Sequence, residues 1–332
     1  MTARMNRRLY GLLSKRLDEA QLDEIQDPRD ARGKRWQLST LLRAVLGGLL
    51  AGARSLADIE TQSERLSRPV RRLLGVQRRV ADTTLRDALC ALEPNELRKP
   101  LHALVRAAQR SKTLEPDELP FGVVSLDGKH FSLPSSEDHY AQRQTQGEHA
   151  ALVGVVRTLT ATLTSISAQP VIDVTPIPAH TNEMGIFELA LDRVCQAFAG
   201  LDLFRLVTYD AGACSKANAR AVRDRDLHSL FVLKSSQLSL YAEAQLWLGS
   251  RSADTADATQ EDMQRGQRVV RRLYLGEATA APEGWEHLRT IVRVQTQTFD
   301  ASNQLVGCED RYLISSLPRA PIDPQPLASR RP

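Results

Sequence analysis

The sequence predicts an α/β protein in which an all-α domain precedes a domain built on a mixed β-sheet. Up to residue 112 the apolar residues recur at helical spacing. From residue 121 onward they form short β-branched runs that alternate with helical segments. A polar stretch with two prolines, residues 113–120, separates the two patterns and is typical of a linker. We therefore expect domains at 1–112 and 121–317, which a chain of 332 residues can accommodate.

Helix boundaries in the first domain follow from the residues that cap helices. Leucine and valine repeat at helical spacing through residues 38–49, which predicts one helix there. Ser55, Asp82 and Asn95 each precede a further helical pattern and are favourable N-caps. The first domain is therefore expected to contain several short helices.

A cluster of six arginines lies within fifteen positions of this domain, with Glu64 as the acid beside it. A guanidinium donates a fork of hydrogen bonds that fits phosphate oxygens, so the cluster favours a DNA-contacting surface, with a solvated helix face as the alternative. No aromatic residue lies within the cluster, which gives no support for stacking on single-stranded bases. The members are Arg65, Arg68, Arg71, Arg72, Arg78 and Arg79.

The second domain has a predicted β-β-β-α-β-α-β order between residues 121 and 234. Its predicted strands are 122–126, 152–166, 171–177, 203–209 and 230–233, with helices starting at Asn182 and Ser215. The segment 152–166 fits either one long strand or a hairpin. This order is the ribonuclease H-like arrangement. Residues 236–265 are polar and strand-poor, and three more strand patterns follow at 268–275, 288–298 and 310–314. We therefore predict a β-rich insertion at about 236–300 and, from its five prolines, a disordered tail at 318–332.

Composition places the chain among cytoplasmic proteins. The net charge of +4 and the pI of about 9.0 are a mild basic bias that is compatible with nucleic acid. The four cysteines are far apart and lack zinc spacing, so we expect reduced thiols. No signal peptide is evident, and the longest apolar run, 41–51, is too short to span a bilayer.

Two aspartates carry the chemistry. Asp127 and Asp210 each follow a strand pattern, 83 positions apart. In the predicted fold the first and fourth strands are neighbours, so the two carboxylates meet at one edge of the sheet. Paired carboxylates hold two divalent ions that catalyse phosphoryl transfer, and Mg²⁺ or Mn²⁺ fits oxygen ligands of this kind. Taken singly, Asp127 also fits an Asp-Gly turn and Asp210 a helix cap.

Seven stretches, in the same order, resemble the H-repeat-associated DDE transposases of bacterial insertion sequences. Asp127-Gly128-Lys129 resembles the family's first signature, and the similarity runs from about residue 20 to residue 317. The other stretches are Asp27-Pro28-Arg29 through Arg54, Asp82-Thr83-Thr84-Leu85-Arg86, Thr181-Asn182-Glu183, Thr208-Tyr209-Asp210-Ala211, Phe231 through Gln237, and Arg311 through Leu317.

This resemblance implies an enzyme that cuts DNA at the ends of a mobile element and joins the freed 3′ hydroxyl to a target phosphate. Asp127 and Asp210 would then be the first and second metal ligands, and two Mg²⁺ or Mn²⁺ ions would be the cofactors. Lys129, Lys234 and Gln237 would contact DNA near the sheet edge. The first domain would bind element ends, and a homodimer would assemble on double-stranded DNA in the nucleoid.

One part of the family pattern is missing. The family's third acid lies in a His-Trp-x-Ile-Glu-Asn stretch that this sequence lacks, and Val270 stands where a second family segment has glutamate. The expectation from sequence is therefore a C-terminally truncated and catalytically inactive relative. Two alternatives remain open: a non-catalytic DNA-binding remnant or domesticated protein, and a PD-(D/E)xK-like nuclease that uses Pro116-Asp117 with Asp127-Gly128-Lys129.

Overall fold

A computed structural model describes residues 3–134, 141–146, 151–210, 212, 214–234, 237–278 and 281–319. The chain divides into two compact units, Met1–Thr113 and Leu114–Pro332. Most of the predicted disordered tail, from position 320 onward, lies outside the described residues. Ala211 and residues 235–236, which belong to the stretches that resemble the transposase family, also lie outside them.

The first unit is helical, as the apolar spacing predicts. A single core of buried leucines, valines and alanines joins its helices, with Leu41, Val80 and Leu85 among the least exposed side chains. The helices are α1 (Ala3–Glu19), α2 (Leu38–Leu50), α3 (Leu56–Glu64), α4 (Arg68–Leu74), α5 (Asp82–Ala91) and α6 (Pro94–Arg110).

One of the three predicted helix caps is confirmed. The Ser55 hydroxyl accepts the Asp58 N–H at 3.1 Å while the Asp58 carboxylate accepts the Ser55 N–H at 3.0 Å, which is a capping box. The other two predictions were wrong by one or two positions. Asp82 is already the first residue of α5, and α6 begins at Pro94, so Asn95 lies inside the helix. Proline is favoured in the first helical turn because it has no N–H to leave unbonded.

The second unit contains one ten-stranded mixed sheet. Its strands are β1 (Val123–Pro134), β2 (Ala141–Gln146), β3 (Ala151–Leu163), β4 (Val171–Ile177), β5 (Leu206–Tyr209), β6 (His228–Val232), β7 (Ala258–Gln264), β8 (Gln267–Glu277), β9 (Thr290–Phe299) and β10 (Leu305–Ser315). Its helices are α7 (Glu183–Ala197), α8 (Lys216–Arg223) and α9 (Leu238–Leu248).

The sheet order is β2-β3-β1-β5-β6-β10-β9-β8-β7, and β4 also pairs with β3. The three central strands β1, β5 and β6 are parallel, and every other pairing is antiparallel. Helix α7 connects β4 to β5 and α8 connects β5 to β6, as parallel neighbours require a crossover. The centre of the sheet is therefore parallel and both of its sides are antiparallel.

The segment between β6 and β8 corrects the sequence prediction. Residues 236–265 were expected to be strand-poor, but they contain α9 and β7. Helix α9 was not predicted because its apolar residues lie on all sides and give no helical periodicity, and Leu238 and Leu246 are mostly exposed. Strand β7 lies at the end of the sheet path and carries Glu261 and Asp262, and charged side chains are typical of an edge strand. Strand β2 was also missed, so the observed order has one strand more than predicted.

Helix α7 packs on the central strands through aromatic contacts. The ring of Phe187 lies 5.2 Å from that of Tyr209 on β5 and 6.3 Å from that of Phe231 on β6. All three side chains are buried. The predicted start of this helix is confirmed to within one residue, because Asn182 is the N-cap and its side chain accepts the Gly185 N–H at 2.9 Å. The cap and the aromatic contacts together fix where α7 begins relative to the sheet.

Lowering the pH should destabilise the second unit through His228. Its Nδ1 lies 3.3 Å from an Arg223 guanidinium nitrogen, and burial followed by the Arg223 charge lowers the pKa of the ring. Since the unfolded chain then binds the proton more tightly, stability should fall as the pH drops below the unfolded pKa of about 6.5. Thermal melts at pH 7.5 and 5.5 would show this loss, and His228→Gln should reduce the difference; an unchanged difference would contradict the assignment.

The cysteines and the helices agree with the remaining sequence expectations. Cys90, Cys195, Cys214 and Cys308 are free thiols. None of the helices in the described ranges is both long and apolar enough to cross a bilayer.

Candidate metal-binding edge of the sheet

The register of β1 and β5 brings the two predicted aspartates together. Leu126 pairs with Tyr209 in these parallel strands, and the next residues along the two strands are Asp127 and Asp210. Neighbouring strands lie about 4.8 Å apart, so the two aspartates start from adjacent backbone positions. Leu126 and Tyr209 are buried, at 2% and 3% exposure, whereas the aspartates lie where the chain meets solvent.

Asp127 is half-exposed and paired with a lysine two residues further along the strand. The Lys129 ammonium donates a short hydrogen bond to one carboxylate oxygen, Oδ2, and the exposed fractions of the two side chains are 50% for Asp127 and 57% for Lys129. An ion pair this exposed contributes little to stability. Lys129 therefore lies at the same edge as Asp127, and the second carboxylate oxygen remains open to a ligand.

Asp210 is exposed, and the turn that follows it is fixed by hydrogen bonds. Its Oδ1 accepts the Gly212 N–H at 2.8 Å, and its Oδ2 has no hydrogen bond to the described residues. The Gln237 side chain donates to the Cys214 carbonyl at 3.0 Å. Gln237, predicted as a DNA contact, thus also fixes the turn after the second aspartate.

Lys234 and Cys214 show how close the end of β6 comes to that turn. Lys234 is exposed two residues after β6. Burial raises the pKa of the Cys214 thiol to about 12, and the charge of Lys234 acts weakly in the opposite direction. A predicted DNA contact, Lys234, and the buried end of the Asp210 turn are therefore neighbours.

Glu183 lies close to this edge. It belongs to a stretch whose sequence resembles the family, but no role was predicted for it from the sequence. It is the first residue of α7, and its carboxylate lies directly over the Cα of Gly128, where any β-carbon would overlap it. Asp127 and Gly128 are successive residues of β1, so their side-chain directions are opposite, and the Glu183 carboxylate lies on the face of β1 that the Asp127 side chain does not share. The signal available in the sequence was the Thr181-Asn182-Glu183 stretch, which by itself says nothing about which strand the helix start meets.

The donors at this edge fit a hard divalent cation in type. Asp127 and Asp210 supply carboxylate oxygens, and each keeps one oxygen that the described contacts do not use. Proteins bind Mg²⁺ through one or two carboxylates, with water and substrate phosphates as the other ligands. Two solvent-accessible aspartates therefore provide the type and number of protein ligands that Mg²⁺ needs. Among the described residues, no three Asp, Glu, His or Cys side chains converge closely enough to enclose a metal ion.

The arginine cluster of the first unit divides into two kinds of residue. Arg71 donates to the carbonyl oxygens of Glu64 at 2.8 Å, Leu66 at 3.0 Å and Gln77 at 2.6 Å, so it joins the segments on both sides of α4. Two others have local partners, since Arg78 lies 5.1 Å from the centre of the Trp36 ring and Arg79 pairs with Glu60. Within the described part of the chain Arg65, Arg68 and Arg72 are exposed and form no ion pair.

Arg71 and Arg72 should therefore respond differently to replacement. Arg71→Ala should lower the free energy of unfolding of the first unit by about 1–2 kcal/mol, because three carbonyl groups lose a charged donor. Arg72→Ala should change stability by less than about 0.5 kcal/mol. Urea unfolding of the two variants measures this difference, and equal stability losses would contradict the division of the cluster.

The arrangement required by the nuclease alternative does not form in the structure. Asp117 accepts the Ser167 N–H at 2.6 Å, beyond the end of β3, and its own N–H donates to the Ser165 carbonyl. That end of β3 pairs with Val124, and at about 3.4 Å per residue Asp127 lies roughly 10 Å further along the strand. Asp117 thus forms hydrogen bonds with the loop that follows β3 and does not lie beside Asp127 and Lys129.

A family model matches part of the first unit. Residues 20–105 match the family model described as DDE_Tnp_1-associated, the N-terminal region of the H-repeat-associated DDE transposases. This part of the chain is therefore similar to that family. No curated protein matched the sequence. The match covers most of the helical unit, including the arginine cluster, whereas the aspartates lie beyond it.

Proposed function

We propose that this protein is a DDE-type transposase and carries out metal-dependent phosphoryl transfer on DNA at the sheet edge formed by Asp127 and Asp210. The observation that carries the proposal is the pairing of Leu126 with Tyr209, because it makes the two aspartates neighbours across parallel strands. The family match of the first unit supports DNA transposition as the process.

The strand order supports a ribonuclease H-like second unit. The path β4-β3-β1-β5-β6, with β1 parallel to β5 and β6, has the order that the sequence pattern predicts. Strands β7 to β10 extend this sheet beyond β6 and include most of the predicted insertion. The aspartates lie at β1 and directly after β5, the two strands that meet at the centre of the path.

The chain's own residues supply charge and position in this reaction. Two divalent ions, when bound, activate the attacking oxygen and stabilise the leaving oxygen of the phosphodiester. Asp127 and Asp210 would hold these ions through carboxylate oxygens. Lys129 neutralises Asp127 in the metal-free chain and would be free to contact a DNA phosphate if a cation took its place. The attacking oxygen, of water or of a 3′ hydroxyl, forms a bond to phosphorus and gives up its proton to water. The bond from phosphorus to the leaving 3′ oxygen breaks, and that oxygen takes up a proton from water.

The first unit is proposed to bind duplex DNA through its exposed arginines. Arg65, Arg68 and Arg72 are available to phosphate oxygens, and arginine grips these with two donors at once. Contacts of this kind depend steeply on salt and little on sequence. Fluorescence anisotropy with a labelled duplex should show binding that weakens as salt rises, and a triple alanine variant of the three arginines should bind more weakly than Arg71→Ala.

A cleavage assay tests the proposed reaction. The substrate is DNA that flanks the chain's own gene, incubated with Mn²⁺, with Mg²⁺ or with EDTA. We expect strand cleavage with either cation and none with EDTA. An inactive chain was expected from the sequence because the family's third acid is missing, and this assay tests that expectation directly. Binding of DNA without any cleavage would overturn the enzymatic proposal and favour the non-catalytic alternative.

A further inference from the structure

Strand β1 continues past the parallel centre of the sheet. It pairs with β5 only as far as Leu126, whereas its pairing with β3 runs on to Pro134. In the described part of the sheet, residues 127–134 therefore have a neighbouring strand on one side only. We call residues 127–134 the projecting segment. It begins at Asp127 and so borders the space in front of the two aspartates.

Two apolar side chains of the projecting segment are exposed to solvent. Phe131 is 58% exposed and Leu133 is 44% exposed. Successive side chains of a strand point to opposite faces, so one face of β1 carries in turn Asp127, Lys129, Phe131 and Leu133. Phenylalanine is usually buried in folded proteins, and neighbouring exposed apolar side chains beside polar ones are typical of a contact surface. The projecting segment is therefore a candidate contact surface on the face that also carries Asp127.

The charge of this part of the sheet favours a nucleic acid as the partner. The strand segments 127–134, 141–146 and 151–158 contain one acid, Asp127, and four basic residues. The basic residues are Lys129, His130, Arg143 and Arg157. DNA offers phosphate oxygens to a cation such as Lys129 and flat base surfaces to an aromatic ring such as Phe131.

The spacing along β1 also fits a DNA strand that reaches the aspartates. At about 3.4 Å per residue, Phe131 lies roughly 14 Å along the strand from Asp127. Each strand of DNA advances about 3.4 Å per nucleotide, so this span corresponds to about four nucleotides. The ring would therefore meet bases close to a phosphate held at Asp127.

We propose that Phe131, together with Leu133, contacts unpaired bases of DNA bound at the edge of Asp127 and Asp210. This inference rests on the proposed function, since it assumes that DNA lies at this edge. Aromatic side chains stack on bases of any sequence because every base has a flat π-face. In paired DNA an apolar side chain must first separate a base step, which offsets much of the stacking energy. The two side chains therefore favour DNA with unpaired bases over a fully paired duplex.

The competing partner is a strand from a second copy of the chain. An open strand edge presents main-chain N–H and C=O groups that another strand can pair with. Lysine and proline on an edge strand hinder such pairing, and the projecting segment contains Lys129 and ends at Pro134. These two residues make DNA the better partner for the projecting segment.

The test is fluorescence anisotropy of the whole chain with two labelled DNAs of equal length. One DNA is fully paired, and the other is forked, with a few unpaired bases at one end. EDTA prevents cleavage during the measurement, and Lys129 neutralises Asp127 in the absence of metal. We expect the unmodified chain to bind the forked DNA more tightly than the paired DNA. Phe131→Ala should weaken binding of the forked DNA about tenfold and change binding of the paired DNA much less.

Further variants separate base stacking from apolar contact in general. Phe131→Trp keeps a flat ring and should keep the preference for forked DNA, whereas Phe131→Leu has no ring and should lose most of it. Leu133→Ala should weaken binding of the forked DNA. Its matched control is Leu189→Ala on α7, because Leu189 is also 44% exposed, and this variant should bind like the unmodified chain. Thermal melts of all variants check that the fold is kept.

The outcomes separate this inference from the proposed function. If Phe131→Ala binds both DNAs like the unmodified chain, the base contact is overturned, and cleavage by the unmodified chain would still support the proposed reaction. If Phe131→Ala converts a dimer into a monomer in light scattering without changing the preference for forked DNA, the segment pairs with a second copy and the base contact is overturned. If Phe131→Ala removes the preference but the unmodified chain cleaves no DNA, the base contact is supported and the proposed reaction is overturned.

Discussion

Replacing Asp127 with asparagine should reduce Mn²⁺-dependent strand cleavage by about 100-fold or more. The change keeps the size of the side chain and removes the charge that holds the cation. It also removes the carboxylate charge with which the Lys129 ammonium pairs. Because the pair is half-exposed, the fold should be nearly unaffected, so the loss would be one of chemistry rather than of stability.

Asp202→Asn is the matched control for this loss. Asp202 lies in the turn before β5, and it pairs with Arg205 at 2.8 Å with both side chains mostly exposed. We expect cleavage by this variant at the rate of the unmodified chain, measured under the same metal and DNA concentrations. Equal rates for the Asp127 and Asp202 variants would contradict the catalytic role of Asp127.

Replacing Arg293 with alanine should lower the free energy of unfolding of the second unit by about 2–3 kcal/mol, because a buried arginine loses several charge-assisted hydrogen bonds. Arg293 is 3% exposed, and its guanidinium donates to both oxygens of Asp310, at 2.9 and 3.0 Å. It also donates to the carbonyls of Leu248 and Gly249, at 2.8 and 3.0 Å, and so ties the end of α9 to β9. The alanine variant leaves a carboxylate and two carbonyls without this donor.

Two further variants separate the causes of that loss. Arg293→Lys keeps the charge but cannot bind both carboxylate oxygens and the carbonyls together, so it should recover only part of the stability. The exposed pair of Arg205 with Asp202 is the control, and Arg205→Ala should cost less than about 1 kcal/mol. Denaturant unfolding measures all three. A loss below about 1 kcal/mol for Arg293→Ala would show that the buried pair does not anchor α9.

Much of the second unit was predictable because its central strands are short apolar runs that end at polar punctuation. Strand β4 was predicted with its observed bounds, 171–177, and Asn182 caps the helix that follows it. The proximity of Asp127 and Asp210 along the sheet also follows from strand order, since Asp127 lies on β1 and Asp210 comes directly after β5, its parallel neighbour. These are properties of local pattern and topology.

What the sequence could not predict depends on contacts between distant residues. Glu183 is 56 positions from Asp127 in the sequence, and its place over Gly128 follows only from how α7 docks on the sheet. The six clustered arginines look alike in sequence, yet Arg71 alone among them donates to three carbonyl groups of the described chain. Helix α9 has apolar residues on every side, so no periodic pattern marked it.

A count of bound Mn²⁺ tests the central claim most directly. Electron paramagnetic resonance of free Mn²⁺ would be measured for the unmodified chain, for Asp127→Asn, for Asp210→Asn and for the double variant. If the two aspartates share one site, each single variant loses that site and the double variant loses no more, because residues of one site are not additive. Mn²⁺ binding that persists in the double variant at the level of the unmodified chain would contradict a metal site at this edge.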